Sequence, residues 1–240
     1  MIIGINGRVG SGKDTVGRII QYLIRGQQND GFLANVQLQN LLDSTLEDPF
    51  NSQWPIKKFA TKLKKVASIM TGIPVDKFED QEFKKTTLGH EWSIGDLKTI
   101  AIGMTVRHFL QKLGTDAIRN NIHTNAWVNA LMADYKVLGY RIERTLMDGT
   151  KEYDYPVFPN WIVTDCRFPN EAEVIKGTGG PVIRVTRPGE NLADLHPSET
   201  SLDDWKFDYI IHNDGGKEDL VEKVQEFLQS IKLYNGTSAN

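Results

Sequence analysis

The chain opens on a short apolar run that gives way to regularly spaced apolar positions. Residues 1–6, MIIGIN, have the composition of a buried strand, and a glycine-rich stretch follows them. Beyond it, apolar residues recur at helical spacing: Val16, Ile19, Ile20, Leu23 and Ile24. The pattern therefore predicts a strand, a loop and a helix.

The same alternation returns in the second half of the chain. Three short β-rich runs are bounded by Pro, Gly and Asn: NWIVTD (160–165), PVIRVT (181–186) and DYIIHNDGG (208–216). An apolar stripe at helical spacing then consists of Leu220, Val224, Phe227, Leu228 and Ile231. Strands that alternate with helices predict an α/β fold, with a parallel sheet covered by helices on both faces. Its cleft should lie at the carboxyl ends of the strands.

The middle of the chain is mostly helical in pattern, and we expect it to form a smaller lobe. Its apolar stripes are Leu63, Val66, Ala67 and Met70, then Val106, Phe109, Leu110 and Leu113, then Trp127, Ala130, Leu131 and Leu138. Residues 139–158 alternate partly around Asp148-Gly149, which predicts a hairpin. Residues 26–52 support no assignment.

Composition narrows the possible functions. The 240 residues include 28 Lys and Arg against 31 Asp and Glu, so the net charge of -3 offers no general attraction to nucleic acid or to a membrane surface. Cys166 is the single cysteine, which excludes an internal disulfide and suits a reducing compartment. No apolar run approaches the roughly 18 residues of a spanning helix. We expect a cytoplasmic protein, in the host cytoplasm if the chain is viral.

The glycine-rich stretch has the spacing of a phosphate-binding loop. Gly7, Gly10 and Gly12 allow the backbone to curl so that its N–H groups face an anion, and the next helix adds the positive end of its dipole. Lys13 supplies a mobile charge for the β and γ phosphates of a nucleotide. The alternative is an accidental strand-to-helix turn. The G-x-x-x-x-G-K spacing, the strand before it and the helix after it argue against that alternative.

Asp14 stands where such loops normally carry the hydroxyl that holds magnesium, and Thr15 follows it. Magnesium takes carboxylate or hydroxyl oxygens, so Asp14 could serve the ion directly or through water. An added negative charge beside a triphosphate requires nearby cations, and we expect surplus arginine in the cleft. The alternative is that Asp14 is only an anion at a helix N-terminus.

A second carboxylate, Asp165, stands at the carboxyl end of the run NWIVTD. From this position a carboxylate reaches the magnesium shell in nucleotide enzymes. Arg167, two residues further on, has the forked donors that suit a phosphate. The alternative for this pair is a salt bridge at a strand end, and the glycine loop favours the functional interpretation.

With these pieces assembled, the sequence resembles the bacteriophage-type deoxynucleoside monophosphate kinases of the P-loop nucleoside monophosphate kinase superfamily. Segments in the family's order carry the resemblance: SGKDT (11–15), FATKLKKVASIMTG with FEDQEFKK (59–85), RHFLQKLGTDAIRNN (107–121), VTDCRFPNEAE (163–173), VIRVTRPG (182–189) and HPSETSLDDWKFDYIIHNDG (196–215). The resemblance implies a three-layer P-loop kinase fold in a single domain, residues 1–240. Its core would span about 1–25 and 159–235, and its substrate-binding and lid lobe about 60–158.

The implied reaction transfers the γ-phosphoryl of ATP to a nucleoside or deoxynucleoside monophosphate, with magnesium, in a monomer or homodimer. ATP would contact the loop, at Gly7, Gly10, Ser11, Gly12, Lys13, Asp14 and Thr15. Asp14, Thr15 and Asp165 would serve the metal. Lys64 and Arg107 are candidates for binding the acceptor phosphate. For Lys64, the alternative of a solvated surface lysine has equal support from the sequence. Arg119, Arg167 and Arg187 are candidates for closing on the transferred group, and Asn213 and Gly215 for the ATP base.

Two other functions stay open at this point. One is another P-loop small-molecule kinase, such as a dephospho-coenzyme A kinase, and the other is a catalytically inactive nucleotide-binding regulator. His196, Ser198 and Glu199 do not indicate a nucleophilic triad, because such groups normally converge from separate segments. A hydrogen-bonded loop is the better interpretation of these three residues.

Overall fold

A computed structural model describes residues 1–26, 53–92, 103–145, 151–189 and 196–233. The chain divides into two compact units. One, the sheet unit, consists of Met1–Lys58 and Asp134–Asn240, and the other, the helical unit, is Phe59–Ala133. Nearly all of the unassigned stretch 26–52 and the predicted turn at Asp148-Gly149 lie outside the described residues.

The described elements follow one another in this order: β1 (Ile2–Asn6), α1 (Lys13–Gly26), β2 (Ile56–Lys57), α2 (Ala60–Thr71), α3 (Val106–Gln111), α4 (Ala126–Met132), β3 (Gly139–Thr145), β4 (Lys151–Val157), β5 (Trp161–Val163), α5 (Pro169–Gly177), β6 (Val182–Thr186), α6 (Pro197–Thr200), β7 (Tyr209–His212) and α7 (Lys217–Ser230). None of the helices in these described ranges is long and apolar enough to cross a membrane.

The sheet unit is built on a five-stranded parallel sheet in the order β2-β5-β1-β6-β7. β1 is central, with Ile3 beside Ile162 of β5 and Ile5 beside Ile183 of β6. The strand order changes direction at β1, so a crevice opens at the carboxyl end of that strand. The predicted α/β fold with a parallel sheet is confirmed.

Helices cover the sheet on both faces because successive β1 side chains point in opposite directions. Ile3 and Ile5 belong to a buried core that includes Ile19 of α1 and Phe227 of α7. On the opposite face, Gly4 lies against Ile175 of α5. The predicted apolar stripes of α1 and α7 pack on the face that carries Ile3 and Ile5. Their residues are buried, apart from Ile231, which is partly buried at the edge of that core.

The helical unit has an apolar core of its own, formed by Ala67, Phe78, Leu88, Val106, Phe109 and Leu113. Thr105 caps α3, since its side-chain hydroxyl accepts a hydrogen bond from the His108 N–H at 3.1 Å. The chain then continues into wider π-helical turns over Lys112–Arg119.

The predicted hairpin is confirmed, because β3 and β4 pair antiparallel with Gly139 opposite Val157. These strands belong to the sheet unit. The assignment of Leu138 to a helical stripe is wrong. α4 ends at Met132, and Leu138 is 71% exposed and donates its backbone N–H to the Val157 carbonyl, as the entry to a strand pair requires.

Gly4 provides a test of the packing between β1 and α5. A Cβ at this position would lie 2.6 Å from Ile175 Cδ1. We expect Gly4→Ala to lower the free energy of unfolding by about 1–3 kcal/mol through overpacking. Ile175→Val, which removes that Cδ1, should cost about 0.5–1.5 kcal/mol. In urea unfolding, the double variant should lose less than the sum of the two, whereas strict additivity would show that these atoms do not compete for space.

Candidate functional site

The loop between β1 and α1 is shaped so that only glycine fits at several positions. Gly10 and Gly12 have φ angles of 84° and 97°, in the left-handed region. A Cβ at Gly12 would lie 2.5 Å from Asn213 Nδ2, and one at Gly7 would lie 2.4 Å from Ser11 Oγ. The predicted curl of the backbone is therefore present.

The start of α1 offers polar groups suited to an anion. The helix begins at Lys13, so its first N–H groups lack partners within the helix. Ser11, two residues before the helix, is fully buried, and its hydroxyl has no hydrogen-bond partner within the described part of the chain. Unpaired buried polar groups are costly, and a bound phosphate would satisfy them.

Lys13 lies among several charged groups. Its Nζ donates to the Arg8 carbonyl at 3.1 Å. Burial, followed by the nearby Arg167 guanidinium, lowers the pKa of Lys13, whereas Asp14, Glu199 and Asp165 act in the opposite direction. The structure thus brings the predicted Asp14, Asp165 and Arg167 within electrostatic range of Lys13.

Asp14 is held by two side chains at the carboxyl ends of neighbouring strands. Thr164, after β5, donates its hydroxyl to Asp14 Oδ1 at 2.6 Å, and Lys58, after β2, places Nζ 3.2 Å from the same oxygen. Burial alone would raise the pKa of Asp14, but Lys58, the Thr164 hydrogen bond and Lys13 together lower it. The carboxylate is therefore ionised at neutral pH.

Sequence reasoning missed Lys58. It anticipated arginines as the compensating cations, whereas the closest cation to Asp14 Oδ1 in the described contacts is this lysine. β2 has only two residues, Ile56–Lys57, so no alternation of apolar and polar positions could reveal it. The one signal in the sequence is that Lys57 and Lys58 directly follow the apolar residues Pro55 and Ile56, which could have indicated the end of a short strand.

The donor set suits magnesium. Asp165 is a buried carboxylate directly after β5 and Thr164, and Asp14 and Thr15 add a carboxylate and a hydroxyl at the start of α1. These are the hard oxygen ligands that magnesium takes alongside water and phosphate. The described residues contain no cluster of three or more His, Cys, Asp or Glu side chains that could hold a metal ion without such help.

Arg167 is fixed at both ends. Its backbone N–H donates to Glu171 Oε2 at 2.8 Å, and its Nη1 contacts the carboxylate of Glu199 and lies 3.3 Å from Ser198 Oγ. His196 Nδ1 lies 2.8 Å from that Ser198 hydroxyl. The segment was expected to be a hydrogen-bonded loop, but it forms the short helix α6 with His196 at its N-cap, and Ser198 and Glu199 contact Arg167 directly.

Glu171 was also missed, although its sequence carried a signal. Its carboxylate is buried and accepts hydrogen bonds from the backbone N–H groups of Arg167 and Phe168. Pro169 at the first position of α5, with Glu two residues later, is a pattern typical of a helix N-terminus. The pattern could have indicated a carboxylate that folds back onto the segment after β5.

The end of β7 is tied to the glycine loop. Asn213 donates its Nδ2 to the Ser11 carbonyl at 2.8 Å and its backbone N–H to the Thr186 carbonyl at 2.7 Å. Gly215 follows, at a position where a Cβ would lie 2.4 Å from Asp219 Oδ2. Arg187 directly follows β6, and its Nη1 lies 3.5 Å from the Gly10 carbonyl oxygen. The predicted Asn213 and Arg187 therefore both contact the loop.

In the helical unit, each predicted phosphate-binding side chain has a partner within that unit. Arg107 Nη2 donates to Gln81 Oε1 at 3.3 Å, and the buried Lys64 pairs with Glu79. Arg119 is buried and donates to the Thr124 carbonyl at 3.1 Å. Their predicted roles stay predictions.

Lys58 and Asp14 allow a direct test of this electrostatic arrangement. We expect the pKa of Asp14 to rise in Lys58→Met. The measurement is the ¹³C chemical shift of the Asp14 carboxyl carbon as a function of pH. The matched control is Lys57→Met, because the Lys57 ammonium lies 5.6 Å from the Trp161 ring centroid.

A lowered pKa of Asp14 stabilises the fold above the usual aspartate value of about 3.9, and this contribution is lost as pH falls through the folded pKa. The stability gap between Lys58→Met and the parent should therefore narrow below about pH 4. Equal behaviour of both lysine variants would refute the pairing.

Comparison with known proteins supports one family. The sequence profile of the deoxynucleotide monophosphate kinase family matches residues 56–224. The deoxynucleotide monophosphate kinases of Enterobacteria phage T4 and Escherichia phage RB69 are 34% identical over 127 residues and 31% identical over 126 residues. These matches cover 53% and 52% of this chain but 46% and 45% of the relatives, so the chain spans about half of their length. A protein of Acanthamoeba polyphaga mimivirus is 25% identical over 187 residues, which are 75% of this chain and 85% of that protein. The chain belongs to the deoxynucleotide monophosphate kinase family.

Proposed function

We propose that this protein transfers the γ-phosphoryl group of ATP to a deoxynucleoside monophosphate and releases the two diphosphates. The observation that carries the proposal is the glycine loop at the carboxyl end of β1, which leads into α1 and Lys13. Its Ser11 hydroxyl is buried and has no hydrogen-bond partner among the residues that the structure describes. Family membership supports the acceptor, because the phage relatives are named as kinases of deoxynucleotide monophosphates.

ATP would bind through its phosphates to the N–H groups of the loop Gly7–Thr15. Lys13 would exchange its hydrogen bond to the Arg8 carbonyl for contacts with the β and γ phosphates. Because burial destabilises the charged ammonium of Lys13, a phosphate anion would be a better partner for it than a neutral carbonyl. Arg167 and Arg187 would neutralise charge on the transferred group. Asn213 and Gly215 would border the base, since Asn213 already contacts the loop.

Magnesium would be held by Asp14, Thr15 and Asp165 together with phosphate oxygens and water. When bound, the ion would offset the charge on the β and γ phosphates as the bond to the γ-phosphorus breaks. Thr164 and Lys58 both contact Asp14 Oδ1, so among the described contacts the other carboxylate oxygen is the one that could meet the ion or its water. Lys58 would offset the carboxylate that this loop carries in place of a hydroxyl.

The acceptor phosphate would be bound by cations of the helical unit. Arg107 is the first candidate, because it donates to the neutral amide oxygen of Gln81, and a phosphate can replace this acceptor. Lys64 and Arg119 are weaker candidates. Lys64 is buried against Glu79, and Arg119 is buried against a backbone carbonyl. Both partners favour a role in shaping the unit.

The reaction is tested by ADP release from ATP with each ribo- and deoxyribonucleoside monophosphate in turn. We expect turnover with deoxynucleoside monophosphates and a loss of nearly all turnover in Lys13→Met, because that variant lacks the charge that follows the phosphoryl group. Lys65→Met removes an exposed lysine and is the control. Dephospho-coenzyme A belongs in the same panel. Turnover with that acceptor alone, or undiminished turnover in Lys13→Met, would overturn the proposal.

Arg107 is expected to act on the acceptor alone. Losing a positioned, charged donor costs about 2–4 kcal/mol, so Arg107→Ala should lower kcat/KM for the monophosphate by roughly 10²–10³-fold. Arg107→Lys should recover little, because a lysine cannot form two parallel hydrogen bonds. The KM for ATP should stay near that of the parent. A defect confined to ATP would show that a different cation binds the acceptor.

A further inference from the structure

Glu199 is a buried carboxylate without a role in the proposed reaction. It lies on α6, its side chain is 7% exposed, and it pairs with Arg167 Nη1. Arg167 itself keeps 33% of its side-chain surface exposed. The pair therefore has a buried anionic end and an accessible cationic end.

The contacts around Arg167 restrict it more than a single ion pair would. Glu171 accepts its backbone N–H, and Ser198 Oγ lies 3.3 Å from the same Nη1 that meets Glu199. His196 holds that hydroxyl in turn, with Nδ1 at 2.8 Å. A guanidinium has five donors in a rigid fork, so a carboxylate on one nitrogen fixes the direction of the others.

We infer that Glu199 is a positioning residue, which holds the Arg167 guanidinium so that its remaining N–H groups are directed at a phosphate beside Lys13. The inference rests on the proposed function for its consequence, since Arg167 is there assigned to the transferred phosphoryl group. An arginine that is fixed before the substrate arrives gives up little side-chain entropy on binding and stabilises developing charge at once.

The charge of Glu199 and its positioning of Arg167 predict opposite effects of removing this carboxylate, so the two can be distinguished by experiment. A carboxylate within range of Lys13 repels phosphates, so its removal should strengthen ATP binding and raise turnover if charge alone mattered. If Glu199 positions Arg167, then Glu199→Gln should lower kcat instead. The substitution is nearly isosteric, and the loss arises from a guanidinium that is no longer fixed.

The first measurement needs no catalysis. In ¹⁵N-edited NMR of the full chain, Arg167 should give a guanidinium signal with slowed rotation about its C–N bonds, identified by its absence in Arg167→Lys. The slowed signal should be lost in Glu199→Gln and kept in Asp204→Asn, which removes an exposed carboxylate from the same segment. If Glu199→Gln fails to fold, Ser198→Ala, which removes the other acceptor on Nη1, should weaken the signal. A signal unchanged in the folded variant contradicts the positioning.

The second measurement is a double-mutant cycle in the kinase assay. Glu199→Gln should lower kcat by about 10- to 100-fold with the KM for ATP within about twofold of the parent. The same substitution in an Arg167→Met background should cost almost nothing more. An unchanged or raised kcat, or a loss that persists without Arg167, overturns the inference. Absence of turnover in the parent protein contradicts the proposed function instead, and the NMR signal still decides whether Glu199 holds Arg167.

Discussion

The structure depends on the tight connection between β1 and α1 at the centre of a parallel sheet. The chain leaves the middle strand and must enter a helix within a few residues, and the space is so limited that a Cβ at Gly7 or Gly12 would collide with Ser11 or Asn213. That constraint places the start of α1 beyond the carboxyl end of the central strand, and the first N–H groups of this helix have no partner within it. An anion bound there would satisfy these groups.

Several charged side chains around the loop contact partners of opposite sign. Asp14 is balanced by Lys58, Arg167 by Glu199, and Arg8 by Asp203, which also contacts Arg184. Under the proposed function, these contacts would offset part of the charge of the site before a triphosphate binds, and the partners come from a strand end, from α6 and from the residues after α6. The replacement of a loop hydroxyl by Asp14 is tolerated because the fold brings a lysine to the same edge of the sheet.

Much of the fold was predictable because its signals are local. The apolar stripe of α1, the glycine spacing and the stripe ending at Ile231 depend only on residues close together in the chain. The Lys58–Asp14 and Arg167–Glu199 pairs were not predictable, since each joins residues that are far apart in the chain and meet only in the folded protein. Leu138 was misassigned because an apolar residue at helical spacing looks the same whether the chain stays helical or enters a strand. Residue roles in the helical unit rest on chemistry that packing alone does not test.

The central claim is that the glycine loop holds a nucleotide whose γ-phosphoryl passes to a second nucleotide. The most direct measurement follows the phosphorus itself, by ³¹P NMR of ATP and a deoxynucleoside monophosphate incubated with the protein and magnesium. The account predicts that the γ signal of ATP declines as the β signals of ADP and of the deoxynucleoside diphosphate rise together, and only when the acceptor is present. Release of inorganic phosphate independent of the acceptor, or no change in any signal, would contradict it.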